Sequence, residues 1–365
     1  MALLETPLNA WHAAHGGRLV DFAGWSMPVQ YTSIVAEHTA TRTAAGLFDI
    51  SHMGRLRFDG AGANAFLDGL VTRRISDLKP GGIRYGLVTN EAGGILDDVL
   101  VYHISDAAGG TYYLMVVNAS NREKILEWIR PRLVGLDDVV LTDATRDWAM
   151  IAVQGPRAIE LAQPLVDTSI AAMKYYTGVE CRISGHGGIV SRTGYTGEDG
   201  CEIILGDAAV TSVWQQLIDA GATPAGLGCR DTLRLEAAMP LYGHELSESI
   251  NPFTAGLAYA VNLEGRCFPG AAALAKFKDD PSLPVRVGLE LESKRVPREG
   301  FAITAGGQRV GETTSGTFSP TLNKPIAMGY VPRKYSEPGT TLGIDIRGRE
   351  EPARVVKLPF YRRQP

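Results

Sequence analysis

Short apolar runs with a period of two, separated by turns, cover much of the chain. Residues 99–102 predict a buried strand, and after a polar break a second apolar run follows at 112–117. Gly93 and Gly94 stand just before the first run and allow a tight turn. The pattern therefore predicts a β-hairpin that carries two adjacent acids, Asp97 and Asp98, at its lip.

The segment around this hairpin predicts a self-contained unit. Apolar positions three and four residues apart indicate a helix over residues 60–70, and a second helix begins after the hairpin with Asn118 or Ser120 as its cap. Residues 48–141 thus follow the order strand, helix, hairpin, helix, strand, which indicates an α+β unit. Upstream, residues 33–45 predict a helix that ends at Gly46 in the C′ position.

The last third of the chain has a different pattern. A charged, proline-containing stretch at 279–284 marks a boundary, and the remainder contains no helical periodicity. It predicts a small barrel or sandwich of six short strands. Those strands are expected at residues 287–291, 301–303, 308–313, 326–331, 341–346 and 351–356.

The two adjacent acids leave two interpretations open. Successive side chains on a strand point to opposite faces, so either Asp97 or Asp98 can line a given pocket, but not both. Asp is also common beside Gly as a turn cap, and the local pattern by itself favours that role for both residues.

Other polar residues with the potential to line a pocket are isolated. Glu202 stands on a predicted strand, and Arg230 occupies the first turn of a predicted helix, where its charge opposes the helix dipole. Arg230 therefore needs a partner, either a carboxylate ligand or a structural acid. Asn118 and Tyr195 complete this set.

Several common kinds of site are disfavoured. His52 lies too close in sequence to Asp49 and Ser51 for the three to converge as a catalytic triad. The adjacent acids Glu198 and Asp199 fit a hairpin turn better than a calcium loop. No Walker motif or dinucleotide-binding glycine pattern occurs.

Composition limits the class of protein further. At 365 residues the chain predicts two or three domains, and its formal net charge of -4 does not suggest a nucleic-acid partner. The four dispersed cysteines suggest neither a zinc site nor a disulfide framework. No apolar run approaches membrane-spanning length, so a cytoplasmic protein is expected, or a mitochondrial-matrix one if a transit peptide has been removed.

Six stretches together carry a family resemblance. Their residues, order and spacing are similar to those of the aminomethyltransferase (T-protein) family of the glycine cleavage system, over nearly the whole chain. The stretches are residues 22–25, 47–53, 90–98, 194–200, 230–242 and 315–330.

The resemblance implies an α+β fold of three domains in a cloverleaf around a central folate site. It implies a discontinuous folate-binding domain of residues 1–46 and 142–278, an inserted α+β domain of residues 47–141, and a C-terminal β-barrel-like domain of residues 283–362. The chain ends at residues 361–365, so contacts that longer tails make in some relatives are in doubt here.

The resemblance also implies a reaction. A methylene group passes from the S-aminomethyl-dihydrolipoyl arm of a carrier (H) protein to tetrahydrofolate, a co-substrate, with release of ammonia and without a metal. Carried over by position, Asp98 is the catalytic carboxylate. The implied folate-binding residues are Glu202, Asn118, Tyr195, Arg230 and Tyr85.

Alternatives and partners are part of the same interpretation. A folate-dependent demethylase and a non-catalytic folate-binding scaffold are the competing functions. The scaffold relatives carry a K-G-C-Y motif that this sequence lacks. A monomer or weak dimer is expected, with no nucleic-acid or membrane partner.

Overall fold

The computed structural model describes residues 2–363. Met1, part of the predicted first domain, and Gln364 and Pro365, part of the predicted tail, lie outside the described residues. The helices of the described residues are α1 (Asn9–Ala14), α2 (Ile34–Thr43), α3 (Ala63–Asp68), α4 (Arg122–Leu133), α5 (Ala158–Ala162), α6 (Asp207–Asp219), α7 (Leu227–Glu236) and α8 (Ala271–Phe277).

Strands are more numerous than helices. In chain order they are β1 (Leu4–Glu5), β2 (Leu19–Phe22), β3 (Trp25–Pro28), β4 (Gly46–Asp49), β5 (Gly54–Asp59), β6 (Ile83–Thr89), β7 (Ile95–Ser105), β8 (Thr111–Val117), β9 (Val140–Asp143), β10 (Trp148–Gln154), β11 (Gly178–Ile183), β12 (His186–Ser191), β13 (Gly200–Gly206), β14 (Thr223–Pro224), β15 (Val285–Leu291), β16 (Ala302–Ala305), β17 (Gln308–Ser319), β18 (Lys324–Val331), β19 (Thr341–Asp345) and β20 (Glu350–Val356).

The chain forms two compact units. The first contains the chain up to Val88 together with Asp97–Gly194 and Glu198–Arg230, and the second contains Thr89–Leu96, Tyr195–Gly197 and the chain from Asp231 onward. The division into the three predicted domains stays a prediction.

The first unit is built on two large sheets. One has six strands in the order β11-β12-β13-β10-β4-β14, and the other has five in the order β6-β7-β8-β5-β9. Helix α6 packs Val213, Trp214 and Leu217 into the core of the six-stranded sheet, where all three are fully buried. The α+β pattern expected from the sequence is therefore confirmed.

The hairpin predicted at the two acids is present, but its strand is longer than expected. Strand β7 begins at Ile95 and not at residue 99, so Asp97 and Asp98 stand inside the strand and not at its lip. The turn before it is capped by Asn90, whose side-chain oxygen accepts the N–H groups of Ala92 and Gly94 at 3.0 and 2.9 Å. The turn-cap role considered for the two acids is therefore wrong.

A second difference concerns Gly46. Helix α2 begins as expected, with the Ser33 hydroxyl accepting the N–H of Ala36, but its C-cap is Ala44. Gly46 instead begins strand β4. A Cβ at this position would lie 2.2 Å from Thr41 Oγ1, so close packing explains the glycine better than a helix terminus does.

The C-terminal strands of the second unit form a closed barrel in the order β15-β18-β17-β16-β19-β20. Alternation along the strands produces its core: Val287, Leu289 and Leu291 of β15 are buried, whereas Arg286 and Glu290, on the other face of the strand, are only partly buried. All six strands expected from the sequence are present, and the barrel prediction is confirmed.

Candidate active site

Strand β7 carries the two acids in sharply different environments. Asp97 lies on the same face as Ile95, Val99 and Val101, and all four are buried. Asp98 lies on the opposite face and is only partly buried. The alternation expected from the sequence therefore holds, and the carboxylate that solvent can reach is that of Asp98.

Asn118, at the end of β8, nevertheless binds both carboxylates. Its side-chain Nδ2 donates to Asp97 Oδ1 at 2.8 Å and to Asp98 Oδ1 at 2.7 Å. Its backbone N–H donates to Asp97 Oδ2 at 2.9 Å, and Asn121 Nδ2 adds a third N–H group to Asp97 at 2.6 Å. Tyr85 on β6 donates its hydroxyl to Asp98 Oδ2 at 3.2 Å. Two β-strands and a short helical turn thus fix one carboxylate pair.

The pKa values of both acids are raised above the ordinary value for aspartate. Burial raises the pKa of Asp97, and the neighbouring Asp98 carboxylate raises it further, whereas the Asn118 and Asn121 hydrogen bonds act in the opposite direction. Burial also raises the pKa of Asp98, against the hydrogen bonds from Asn118 and Tyr85. Adjacent carboxyl groups with raised pKa values are frequent at functional sites, where they transfer protons.

Glu202 forms a second polar group in the same unit. It lies on β13, is almost fully buried, and accepts a hydrogen bond from the Thr193 hydroxyl. Burial raises the pKa of Glu202, while the Thr193 hydrogen bond and the charge of Arg230 lower it. Arg230 thus has a structural acid close by, one of the two partners expected for it from the sequence.

Tyr102 connects the two groups along β7. It shares the Asp98 face of the strand, four residues further on, or about 13 Å at the usual rise per residue. Burial raises the pKa of Tyr102, and the Glu202 carboxylate raises it further. Backbone hydrogen bonds from Ile83 to Tyr176 and from Gly178 to Gly81, both 2.9 Å, join the two sheets beside it. The Asp98 face of β7 therefore runs toward Glu202.

Tyr195 belongs to the second unit. Its hydroxyl donates to the backbone oxygen of Pro240. Nearby in that unit Arg234, only 1% exposed, donates to Glu245 Oε2 at 2.9 Å and to Ser315 Oγ at 2.8 Å. Arg234 was not among the residues expected from the sequence.

Two residues of the disfavoured triad, Asp49 and Ser51, have structural partners. Asp49 accepts hydrogen bonds from Thr6 Oγ1 at 2.6 Å and from His12 Nε2 at 2.9 Å. His52 is buried, and burial lowers its pKa to about 3, so its imidazole is neutral. Asp49, Ser51 and His52 therefore do not assemble as orienter, nucleophile and base.

Sequence reasoning missed three residues of this region: Asn121, Thr193 and Tyr102. Each acts through a contact that joins separate strands or turns, and none lies in a motif with a recognisable local spacing. Tyr85 was expected from the family resemblance, and its contact with Asp98 gives that expectation a physical basis.

Neither a metal-binding group nor a helix able to span a membrane occurs among the described residues. Within residues 2–363, no group of three or more His, Cys, Asp and Glu side chains has the arrangement of a metal site. None of the helices in this described part of the chain has the length and apolar character to span a bilayer.

Comparison with known proteins defines the class. Residues 8–265 match the family model of the GCVT N-terminal domain, and residues 285–362 match the glycine cleavage T-protein C-terminal barrel domain. The chain belongs to the glycine cleavage T-protein family.

Individual relatives agree over full length. An aminomethyltransferase from Rubrobacter xylanophilus is 48% identical over 99% of this chain and 95% of its own length. One from Streptomyces avermitilis is 47% identical over 99% and 98%. The crystal structure of glycine cleavage system aminomethyltransferase T from Bartonella henselae superposes with a TM-score of 0.91 at 33% identity, covering 98% of both chains. The present chain is an aminomethyltransferase of the glycine cleavage system.

Proposed function

We propose that this enzyme transfers the methylene group of an S-aminomethyl-dihydrolipoyl carrier protein to tetrahydrofolate in glycine catabolism. The products are 5,10-methylenetetrahydrofolate, ammonia and the dihydrolipoyl carrier. The observation that supports this assignment most strongly is the carboxylate pair held by Asn118 and Tyr85. Family membership supplies the reaction class, and the pair supplies a group able to perform it.

The chemistry requires such a group. The carbon loses its bonds to sulfur and to the amine nitrogen, and it gains bonds to two folate nitrogens. Two N–H protons leave folate, while the amine and the sulfur each gain one. Positive charge develops on the carbon as ammonia leaves, and an ionised Asp98 stabilises it in a partly water-excluded site. Asp98 also orients the folate, since Asn118 and Tyr85 hold its own carboxylate in place.

Folate binding is assigned to the remaining polar residues. Glu202 accepts hydrogen bonds from the amide and amino groups of the pteridine edge, a pattern suited to a carboxylate. Arg230 favours the ionised form of Glu202 needed for this, since its charge lowers the pKa of the acid. Asn118, Tyr85 and Tyr195 complete the proposed set, with tetrahydrofolate as co-substrate and no metal.

The reaction implies a macromolecular partner, and the cysteines bear on the location of the enzyme. The lipoylated carrier (H) protein of the glycine cleavage system is the proposed macromolecular partner. A cytoplasmic location is supported by the cysteines, because all four are free thiols, as is usual in a reducing compartment. A monomer or weak dimer remains the expected state.

The test of this function is a transfer assay. Purified protein is mixed with tetrahydrofolate and aminomethylated lipoyl carrier, and both ammonia and methylenetetrahydrofolate are measured. We expect equal amounts of the two products, and no product when either substrate is omitted. Product formation no faster than the uncatalysed reaction would refute the proposal, and turnover of a methylated amine or sulfonium instead would favour the demethylase.

A further inference from the structure

Asp97 and Asp98 point to opposite faces of β7, yet a single amide group binds both. The Asn118 Nδ2 atom lies 2.8 Å from Asp97 Oδ1 and 2.7 Å from Asp98 Oδ1. The two carboxylate oxygens are therefore at most 5.5 Å apart, the distance at which both N···O vectors would be collinear. At that separation, with Asp97 fully buried and Asp98 partly buried, two like charges interact strongly.

No cation among the described residues compensates for this repulsion. Among the residues the structure describes, neither acid forms an ion pair with a Lys, Arg or His side chain. Within residues 2–363, the side chains that bond to the pair are the uncharged Asn118 and Asn121, from the segment after β8, and the titratable Tyr85 from β6. Two ionised carboxylates in this environment repel each other, and one proton bound by the pair removes one of the two charges.

We propose that Asp97 and Asp98 hold one proton between them, and that Asp97 is a positioning residue that sets the pH range in which Asp98 is ionised. Asp97 cannot reach substrate directly, because it is fully buried on the core face of β7. It acts through Asn118, whose amide it shares with Asp98. The role goes beyond the purely structural one expected for Asp97 from the sequence.

A shared proton suits the proposed function, on which this use of the pair rests. A folate nitrogen loses a proton when the first carbon–nitrogen bond forms, and the leaving amine nitrogen gains one. When Asp97 carries the proton of the pair, the ionised Asp98 accepts the folate proton and passes it to the leaving amine nitrogen, and the charge of the pair is unchanged at the end of the step.

The first test needs no substrate, so its failure is distinct from failure of the proposed function. The side-chain carboxyl carbons are followed by NMR in enzyme labelled with ¹³C-aspartate, from acid to mildly alkaline pH. We expect the pair to titrate in two separated steps, the upper one well above the ordinary Asp value of about 4. Two overlapping steps near that value would overturn the proposal.

Variants assign the steps. Asp97→Asn should leave Asp98 with one step, at lower pH than the upper step of the pair, because the like charge is gone. Asn121→Ala is the milder change: it removes one of the three N–H donors of Asp97, so the upper step should move to higher pH. An upper step that Asn121→Ala leaves in place would contradict the proposal even if Asp97→Asn fails to fold. Asp59→Asn, on β5 of the same sheet, is the matched control and should leave both steps unchanged.

A pH–rate profile separates positioning from structure. In Asp97→Asn, the acid limb of kcat/KM should move to lower pH along with the Asp98 titration. A merely structural role would lower the rate at every pH and leave the limb where it is, and that result would refute the role given to Asp97.

Discussion

Asn118 shows how a single residue can organise a site that local sequence does not reveal. Strand alternation correctly separates Asp97 from Asp98, and the family resemblance selects Asp98. Neither predicts that the side-chain amide of Asn118 binds both acids. Asn121 and Thr193 could not be predicted for the same reason, because their contacts with Asp97 and Glu202 form only when the chain folds.

Thr193 provides a prediction at this scale. Thr193→Val keeps the shape of the side chain and removes the hydroxyl that donates to Glu202. Because that hydrogen bond lowers the pKa of Glu202, its loss should raise the pKa further. On acidification, Glu202 should then be protonated at a higher pH than in wild type, and the affinity for folate should decline at that higher pH. At neutral pH we expect roughly fivefold weaker binding, the usual scale for one hydrogen bond.

Calorimetric titration with tetrahydrofolate between pH 5 and 8 measures this effect. Thr142→Val, an exposed threonine on β9, is the matched control and should bind folate like wild type. An identical pH dependence for Thr193→Val and wild type would show that Glu202 does not contact the folate in its ionised form.

At the scale of elements, helix α1 is tied to strand β4 through Asp49. Burial by itself would raise the pKa of Asp49, but the hydrogen bond and charge of His12, with the Thr6 and Ser51 hydrogen bonds, lower it to about 2. The ordinary value for an unfolded chain is about 4. Ionised Asp49 therefore stabilises the folded state fully above pH 4, and this stabilisation is lost as the pH falls through 2.

Asp49→Asn should therefore reduce the free energy of unfolding by about 2 to 3 kcal/mol at pH 7. The deficit relative to wild type should shrink between pH 4 and pH 2, because wild-type Asp49 is then protonated as well. Urea denaturation at a series of pH values measures it, and Asp137→Asn at an exposed position is the control. A deficit independent of pH would mean that the carboxylate charge of Asp49 contributes nothing.

Elements with a strong local pattern were predictable. The six barrel strands follow a period of two and are separated by turn residues, so local sequence contains almost all the information that specifies them. The start of β7 was not predictable, because Asp97 in a strand interior contradicts local preference and is stabilised by Asn118 and Asn121 from elsewhere in the chain. Gly46 shows the same limit, since its reason is packing against Thr41 and not helix termination.

At the scale of the whole molecule, the family resemblance contributed what periodicity could not. Composition and pattern indicated a multidomain α+β protein with isolated polar residues and no complete catalytic set. The six matching stretches supplied the reaction class, which full-length relatives and a closely superposing structure confirm. Convergence of polar residues from distant parts of a chain depends on tertiary structure, so no local rule could identify this site.

We propose that the Asp98 carboxylate stabilises the positive charge that develops during methylene transfer to tetrahydrofolate. The most direct measurement is a single-turnover experiment with saturating aminomethylated carrier and folate, comparing wild type with Asp98→Asn. We expect the rate of methylenetetrahydrofolate formation to fall by roughly a hundredfold or more, the scale for removing a central electrostatic group. The dissociation constant for folate should change much less than the rate. A variant that forms product at the wild-type rate would contradict the account.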